Sequence, residues 1–132
     1  ISALRSQNMN DGAVIVLDNA TGDVLAYVGN IGEQSSAKYV DGAQARRQAG
    51  STLKPFLFGR ALDGRLLTAA TLMHDTPLDV SVESGIYRPQ NYDHSFKDSV
   101  SVRTSLASSL NIPSVRALDM LGVDAFVAYA FG

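Results

Sequence analysis

A serine, a lysine three residues later and a proline directly behind it stand at the head of an apolar period: Gly50-Ser51-Thr52-Leu53-Lys54-Pro55-Phe56. No other stretch restricts the folding of this chain as tightly. Leu53, Phe56, Leu57 and Ala61 recur on one helical face and Gly64 supplies a stop, so the spacing predicts an amphipathic helix. At that spacing Ser51 and Lys54 share a face, with their side chains in reach of each other. Pro55 has no N–H for the Ser51 carbonyl, and it biases Lys54 away from the helical region. Ser51 is therefore expected at the edge of the first turn, where N–H groups are free and the helix end is positive.

That pairing has a chemical use. A serine hydroxyl becomes a good nucleophile when a neighbouring base takes its proton. A lysine is such a base only when neutral. Bringing its pKa from about 10.4 to roughly 7–8 takes on the order of 4 kcal/mol, and burial and a positive helix end both act in that direction. N–H groups at the helix start can also hold an oxyanion. The bare pattern equally describes an N-cap serine beside a solvated lysine. Ser35-Ser36-Ala37-Lys38 has the same spacing in a polar stretch with no apolar period behind it, and reads as loop.

Composition narrows the function classes. The 132 residues, 45% of them hydrophobic, suffice for one core. A net charge of −2 leaves no electrostatic footprint for nucleic acid, and Arg46-Arg47 reads as a solvated turn. The absence of cysteine excludes disulfides and thiolate metal sites. His74 and His94 lack a metal-ligand spacing and read as structural. No run approaches the roughly 20 apolar residues of a membrane span, and no signal peptide is read at Ile1.

Along the chain, residues 1–10 read as a polar lead-in. Ala13–Leu17 and Val24–Val28 flank the turn residues Asp18-Asn19-Ala20-Thr21-Gly22 and predict a hairpin, its first strand buried. Residues 29–50 read as polar loop. Thr68 is expected to cap a short helical piece through Met73, broken at Asp75-Thr76-Pro77. Leu78, Val80 and Val82 alternate with polar residues as a short strand, and residues 84–97 read as a structured loop whose aromatics pack. Ser101 is expected to cap a helix with Val102, Leu106 and Leu110 on its apolar face. Pro113 suits the first turn of another, ending at Gly122, and Asp124 caps a last one through Phe131.

Ser109-Leu110-Asn111 falls at the junction between two of these helices. A hydroxyl and an amide two residues apart offer a proton relay and a carbonyl-binding donor. On spacing alone Asn111 reads as a C-terminal cap, and Ser6-Gln7-Asn8 has the same pattern.

The order of these features resembles the transpeptidase domain of the penicillin-binding proteins, serine acyl-transferases whose relatives include the class A β-lactamases. Four stretches carry the likeness: the hairpin Asp18–Gly29, the nucleophile segment Arg47–Phe56, the loop Tyr87-Arg88-Pro89-Gln90-Asn91-Tyr92-Asp93, and Val100–Arg116 with Ser108-Ser109-Leu110-Asn111-Ile112-Pro113. In detail the chain most resembles the bifunctional class A members, of the 1C type. The resemblance implies a mixed α/β fold of the α+β kind, β-lactamase/transpeptidase-like, with an opening antiparallel hairpin and a helical subdomain. It implies Ser51 as nucleophile on a penultimate D-Ala carbonyl, Lys54 as its base, Ser109 as the hydroxyl that passes a proton to the leaving D-Ala, and Asn111 as the amide that grips the donor backbone. Peptidoglycan stem peptides and β-lactams are the implied partners, with no cofactor and no metal. The implied location is the periplasmic face of the inner membrane, with membrane attachment only through an anchor outside this chain.

Where the chain departs from the family is as informative. Its lysines stand at 38, 54 and 97, none followed by Thr-Gly or Ser-Gly, so the family's third motif is missing; Ala49 also stands where the family often has proline. The chain therefore resembles the front part of one transpeptidase domain, spanning 1–132, without the strand that supplies a second oxyanion donor and without a glycosyltransferase domain. Little turnover is expected of this stretch alone. An open sheet edge is expected to favour homo-oligomers. A serine β-lactamase, or a non-catalytic β-lactam sensor or structural module, accounts for the same residues.

Overall fold

A computed structural model of the chain describes residues 10–132; the lead-in and Ser6-Gln7-Asn8 lie, but for Asn10, outside the described residues. The chain divides into two compact units, one through Gln48 and one from Ala49.

The first unit is built on the hairpin. Strand β1 (Val14–Leu17) pairs antiparallel with β2 (Val24–Val28), in the register Val14 to Val28, Ile15 to Tyr27 and Val16 to Ala26, with a bulge before Leu17. Asp18 makes the turn: its carboxylate accepts the N–H groups of Ala20 (2.8 Å) and Thr21 (2.9 Å), which hold its pKa below the ordinary value. The first strand is not buried as expected. Within their own unit both faces of the hairpin are exposed, because no second layer among the described residues covers them. Residues 29–48 are more ordered than a polar loop. Tyr27 donates to Asp41 at 2.6 Å, Gln44 donates to Asp41 at 3.1 Å, and Asn30 donates to the Lys38 carbonyl at 2.7 Å. Gly29 leaves room for this arrangement, since a Cβ at that position would come within 2.7 Å of the Asp41 carboxylate and displace it.

The second unit holds the core. A 3-10 turn, Gly50–Leu53, leads into helix α1 (Lys54–Asp63), which Gly64 ends. Lys54 is helical (φ −59°, ψ −41°), contrary to the bias expected from Pro55. The tight turn resolves the conflict: the Lys54 N–H, not the one proline lacks, bonds the Ser51 carbonyl. The buried face of α1 is Lys54, Leu57, Phe58 and Ala61, not the expected set with Phe56, which is 57% exposed. Phe58, fully buried, packs with Leu57, Ala61, Leu67, Met73, Val102, Ala117 and Phe126.

Around this core, β3 (Leu72–Asp75) pairs antiparallel with β6 (Asp98–Ser101). The expected helix from Thr68 to Met73 is therefore a turn and a strand. Thr71 closes the turn, its hydroxyl accepting the Thr68 N–H at 2.8 Å, and Met73 and Asp75 alternate inward from β3. The short strand near Val80 is present as β4 (Val80–Val82), and β5 (Gly85–Tyr87), expected as loop, is its partner. Ser101 caps α2 (Val102–Ala107) as expected, accepting the Thr104 N–H at 3.1 Å. Helix α3 (Asn111–Leu121) ends at Gly122, whose φ of 87° suits glycine and lets α4 (Val123–Phe131) start at once, with Asp124 in its first turn. No described helix is long and apolar enough to cross a membrane. The result is a mixed α/β unit with small antiparallel sheets, in which no described sheet exceeds two strands.

Candidate active site

The site is assembled by packing, from segments far apart in sequence. Gly50, at φ +55°, turns the chain into the 3-10 turn and puts Ser51 on its exposed side. The Ser51 N–H is among the first of that turn, which no intrahelical carbonyl serves. One turn later Lys54 lies on the buried face of α1, only 9% exposed. Loss of hydration there lowers its pKa from the ordinary 10.5.

What surrounds the Lys54 nitrogen is the corner between α2 and α3. Nζ donates to the Ser109 carbonyl at 2.6 Å and to Asn111 Oδ1 at 2.6 Å, and lies 3.1 Å from Ser109 Oγ. Ser109 sits in the left-handed region at φ 51°, a conformation that costs a residue with a Cβ about 1–2 kcal/mol. The two bonds that bracket it, Ser109 N–H to the Leu106 carbonyl (3.0 Å) and Leu110 N–H to the Ser105 carbonyl (2.9 Å), hold it there. Its twist aims both its carbonyl and its hydroxyl at the lysine. Asn111 is not a C-terminal cap but the first residue of α3, with its other amide end donating to the Gln90 carbonyl at 2.7 Å.

Ser51, Lys54 and Asn111 line one cavity of about 320 Å³ together with Tyr87, Leu57, Val115, Leu118 and Phe126. Among the described residues the Ser51 hydroxyl makes no hydrogen bond to Lys54. It faces the cavity beside an amine already held by the 109–111 corner. Catalytic hydrogen bonds are often open before substrate arrives. The second Ser-x-x-Lys has no such surroundings: Ser35 and Ser36 donate to Asp11, and Lys38 pairs with Glu33 at 3.1 Å, all exposed apart from Lys38 and Ser35, which are partly so.

The sequence reading passed over Asp75, Gln90 and Asn91, whose bonds reach the site from the β3 end and from the loop after β5. For Gln90 and Asn91 the signal was position within the loop Tyr87–Asp93, and for Asp75 the break before Pro77, in neither case with a spacing that marks a role. Nor do the aromatics of that stretch pack as expected: Tyr92 is 99% exposed and Tyr87 51%. No group of acidic and histidine side chains that would hold a metal occurs among the described residues.

With this geometry, the likeness to known proteins is specific. Penicillin-binding protein 1C of Escherichia coli is 37% identical over 118 residues, covering 88% of this chain and 15% of that protein. Penicillin-binding protein 1A of Clostridium acetobutylicum is 32% identical over 129 residues, covering 91% and 16%. A crystal structure of penicillin-binding protein 1A from Haemophilus influenzae superimposes with a TM-score of 0.80 at 26% identity, over 90% of this chain and 18% of that one. The chain thus spans about 15% of the length of the curated relatives it matches. Residues 12–131 match the model of the penicillin-binding protein transpeptidase domain, and the chain belongs to that family.

Proposed function

We infer that the chain carries the nucleophile half of a peptidoglycan D,D-transpeptidase that acts outside the cytoplasmic membrane and is acylated by β-lactams. One observation carries this reading: the Lys54 nitrogen joins the two motifs, 2.6 Å from Asn111 Oδ1 and 3.1 Å from Ser109 Oγ, one turn from Ser51.

The proton inventory supports it. A neutral amine has two N–H bonds and one lone pair. The Ser109 carbonyl and Asn111 Oδ1, which only accept, take the two N–H bonds. The lone pair is left for a hydroxyl proton, with the Ser109 hydroxyl 3.1 Å from Nζ as its neighbour before substrate binds. Ser51 Oγ then attacks the penultimate D-Ala carbonyl carbon as its proton passes to Lys54. The Ser51 N–H, free in the first turn, steadies the oxyanion. Collapse breaks the C–N bond to the terminal D-Ala, whose nitrogen takes a proton by way of Ser109, and leaves an ester on Ser51. The amine of a neighbouring stem peptide attacks that ester, forms the cross-link and returns the hydroxyl. The second N–H of the Asn111 amide remains to orient the donor.

The experiment is labelling of the full-length protein that carries these residues with a fluorescent penicillin. Ser51→Ala is expected to abolish labelling, and mass spectrometry to place the adduct on the Ser51 peptide. Labelling that survives in that variant, or an adduct elsewhere, refutes the assignment. Fast release of the penicilloyl group would make the protein a β-lactamase instead.

A further inference from the structure

Helix α3 begins with residues that cannot cap it. Leu110 stands at the N-cap with no side-chain bond, and Pro113 adds no N–H. The free N–H donors of that first turn are met from about 20 residues upstream: Asn91 Oδ1 accepts the Asn111 N–H at 2.8 Å and lies 3.5 Å from the Ile112 nitrogen. Asn91 is 2% exposed, and its other end is as fully engaged. Its Nδ2 donates to Asp75 Oδ1 at 2.8 Å, to Asp75 Oδ2 at 3.0 Å and to the Ser95 carbonyl at 2.9 Å. Asp75, at the end of β3, is completely buried and takes the Lys97 N–H at 3.0 Å as well.

An asparagine amide can face either way, and its partners decide which. Here two carboxyl oxygens and the Ser95 carbonyl gather at one end, so that end is the NH₂ and the carbonyl must face α3. Resting on the function proposed above, we propose that Asp75 and Asn91 are positioning residues for the Lys54 amine: Asp75 orients Asn91, Asn91 fixes the backbone at Asn111, and Asn111 thereby holds its Oδ1 on the Lys54 nitrogen. Neither residue touches that nitrogen. The chain of contacts runs from β3 through the loop to α3 and ends at α1, and a shift of about 1 Å in such a support can cost on the order of 10²-fold in rate.

The test uses the full-length protein. Asn91→Asp sets two carboxyl groups face to face, whereas Asn91→Asp combined with Asp75→Asn restores a donor to the pair with its ends exchanged. Amide hydrogen exchange at Asn111 and Ile112, read without substrate, is expected to quicken about tenfold or more in the single variant and to slow again in the double one. The rate constant of penicillin acylation at saturation is expected to fall about tenfold or more, with the half-saturating concentration within about twofold, and to recover in the double variant. A lowered melting temperature with an unchanged acylation constant overturns the relay, and so does a loss confined to half-saturation. If Asn91→Asp does not fold, Asn91→Ser introduces no charge and is read by the same split. The two proposals fail separately. Labelling that persists in Ser51→Ala refutes the proposed function, whereas unchanged exchange at Asn111 refutes the relay while labelling of Ser51 stands.

Discussion

Lys54 is a side chain whose partners and burial act in opposite senses. Two carbonyl-type acceptors at 2.6 Å favour a full set of N–H bonds, while lost hydration lowers its pKa from 10.5. A lysine depressed on folding binds fewer protons folded than unfolded, so its contribution to stability rises with pH between the depressed value and 10.5. On the proposed role of Lys54 as base the same sign governs the chemistry, because an amine accepts a proton only in its neutral form. The acylation rate of the full-length protein is expected to climb with pH and level off below 10.5, as measured with a chromogenic β-lactam. A rate that rises nowhere below 10.5 contradicts a lysine base. Asp93, on the loop beside Ser109, is held down to about 2 by the Ser95 hydroxyl and N–H and then by Lys97. Its contribution is complete above the ordinary 3.8 and is lost as pH falls toward 2. Ser95→Ala is expected to move the Asp93 titration up toward 3.8, as followed by carbon NMR.

At the scale of elements, α1 shows what apolar spacing misses. The buried face contains Lys54, which a count of apolar residues passes over, so the expected face fell on Phe56 in place of Phe58. Phe58→Ala removes a fully buried ring from the centre of the core and is expected to destabilise the unit by about 3–5 kcal/mol. Phe56→Ala, at a half-exposed position, is expected to cost far less. Denaturant unfolding of both variants checks the order, and equal losses would restore the face read from spacing. Helix ends were more legible than helix faces. Gly64, Ser101 and Gly122 each mark a boundary where they were expected to, because a cap depends on neighbours in sequence. The piece from Thr68 failed for the converse reason. Its backbone bonds go to β6, and a strand partner more than 20 residues away leaves no local mark.

At the scale of the molecule, the two units differ in how they are held. The second has a packed core; the first is a two-stranded hairpin tied to its loop by polar bonds, with apolar side chains such as Leu25 (65% exposed) and Val24 (58%) uncovered. Two strands leave unpaired edges that favour pairing with another chain. The 132-residue chain is accordingly expected to associate as its concentration rises, as measured by light scattering. A strictly monomeric profile at high concentration would count against this.

The residues alone determined where the hairpin turns, where α1 starts and stops, and that Ser51 stands in a first turn three residues before a lysine. Each depends on the backbone preferences of a few neighbouring residues. Only the tertiary structure decided what that lysine touches. Its partners lie 55 and 57 positions away, and the amide that steadies them is a further 20 residues from Asn111. Such contacts arise when packed elements bring distant polar groups into one dry place, where each must find a partner.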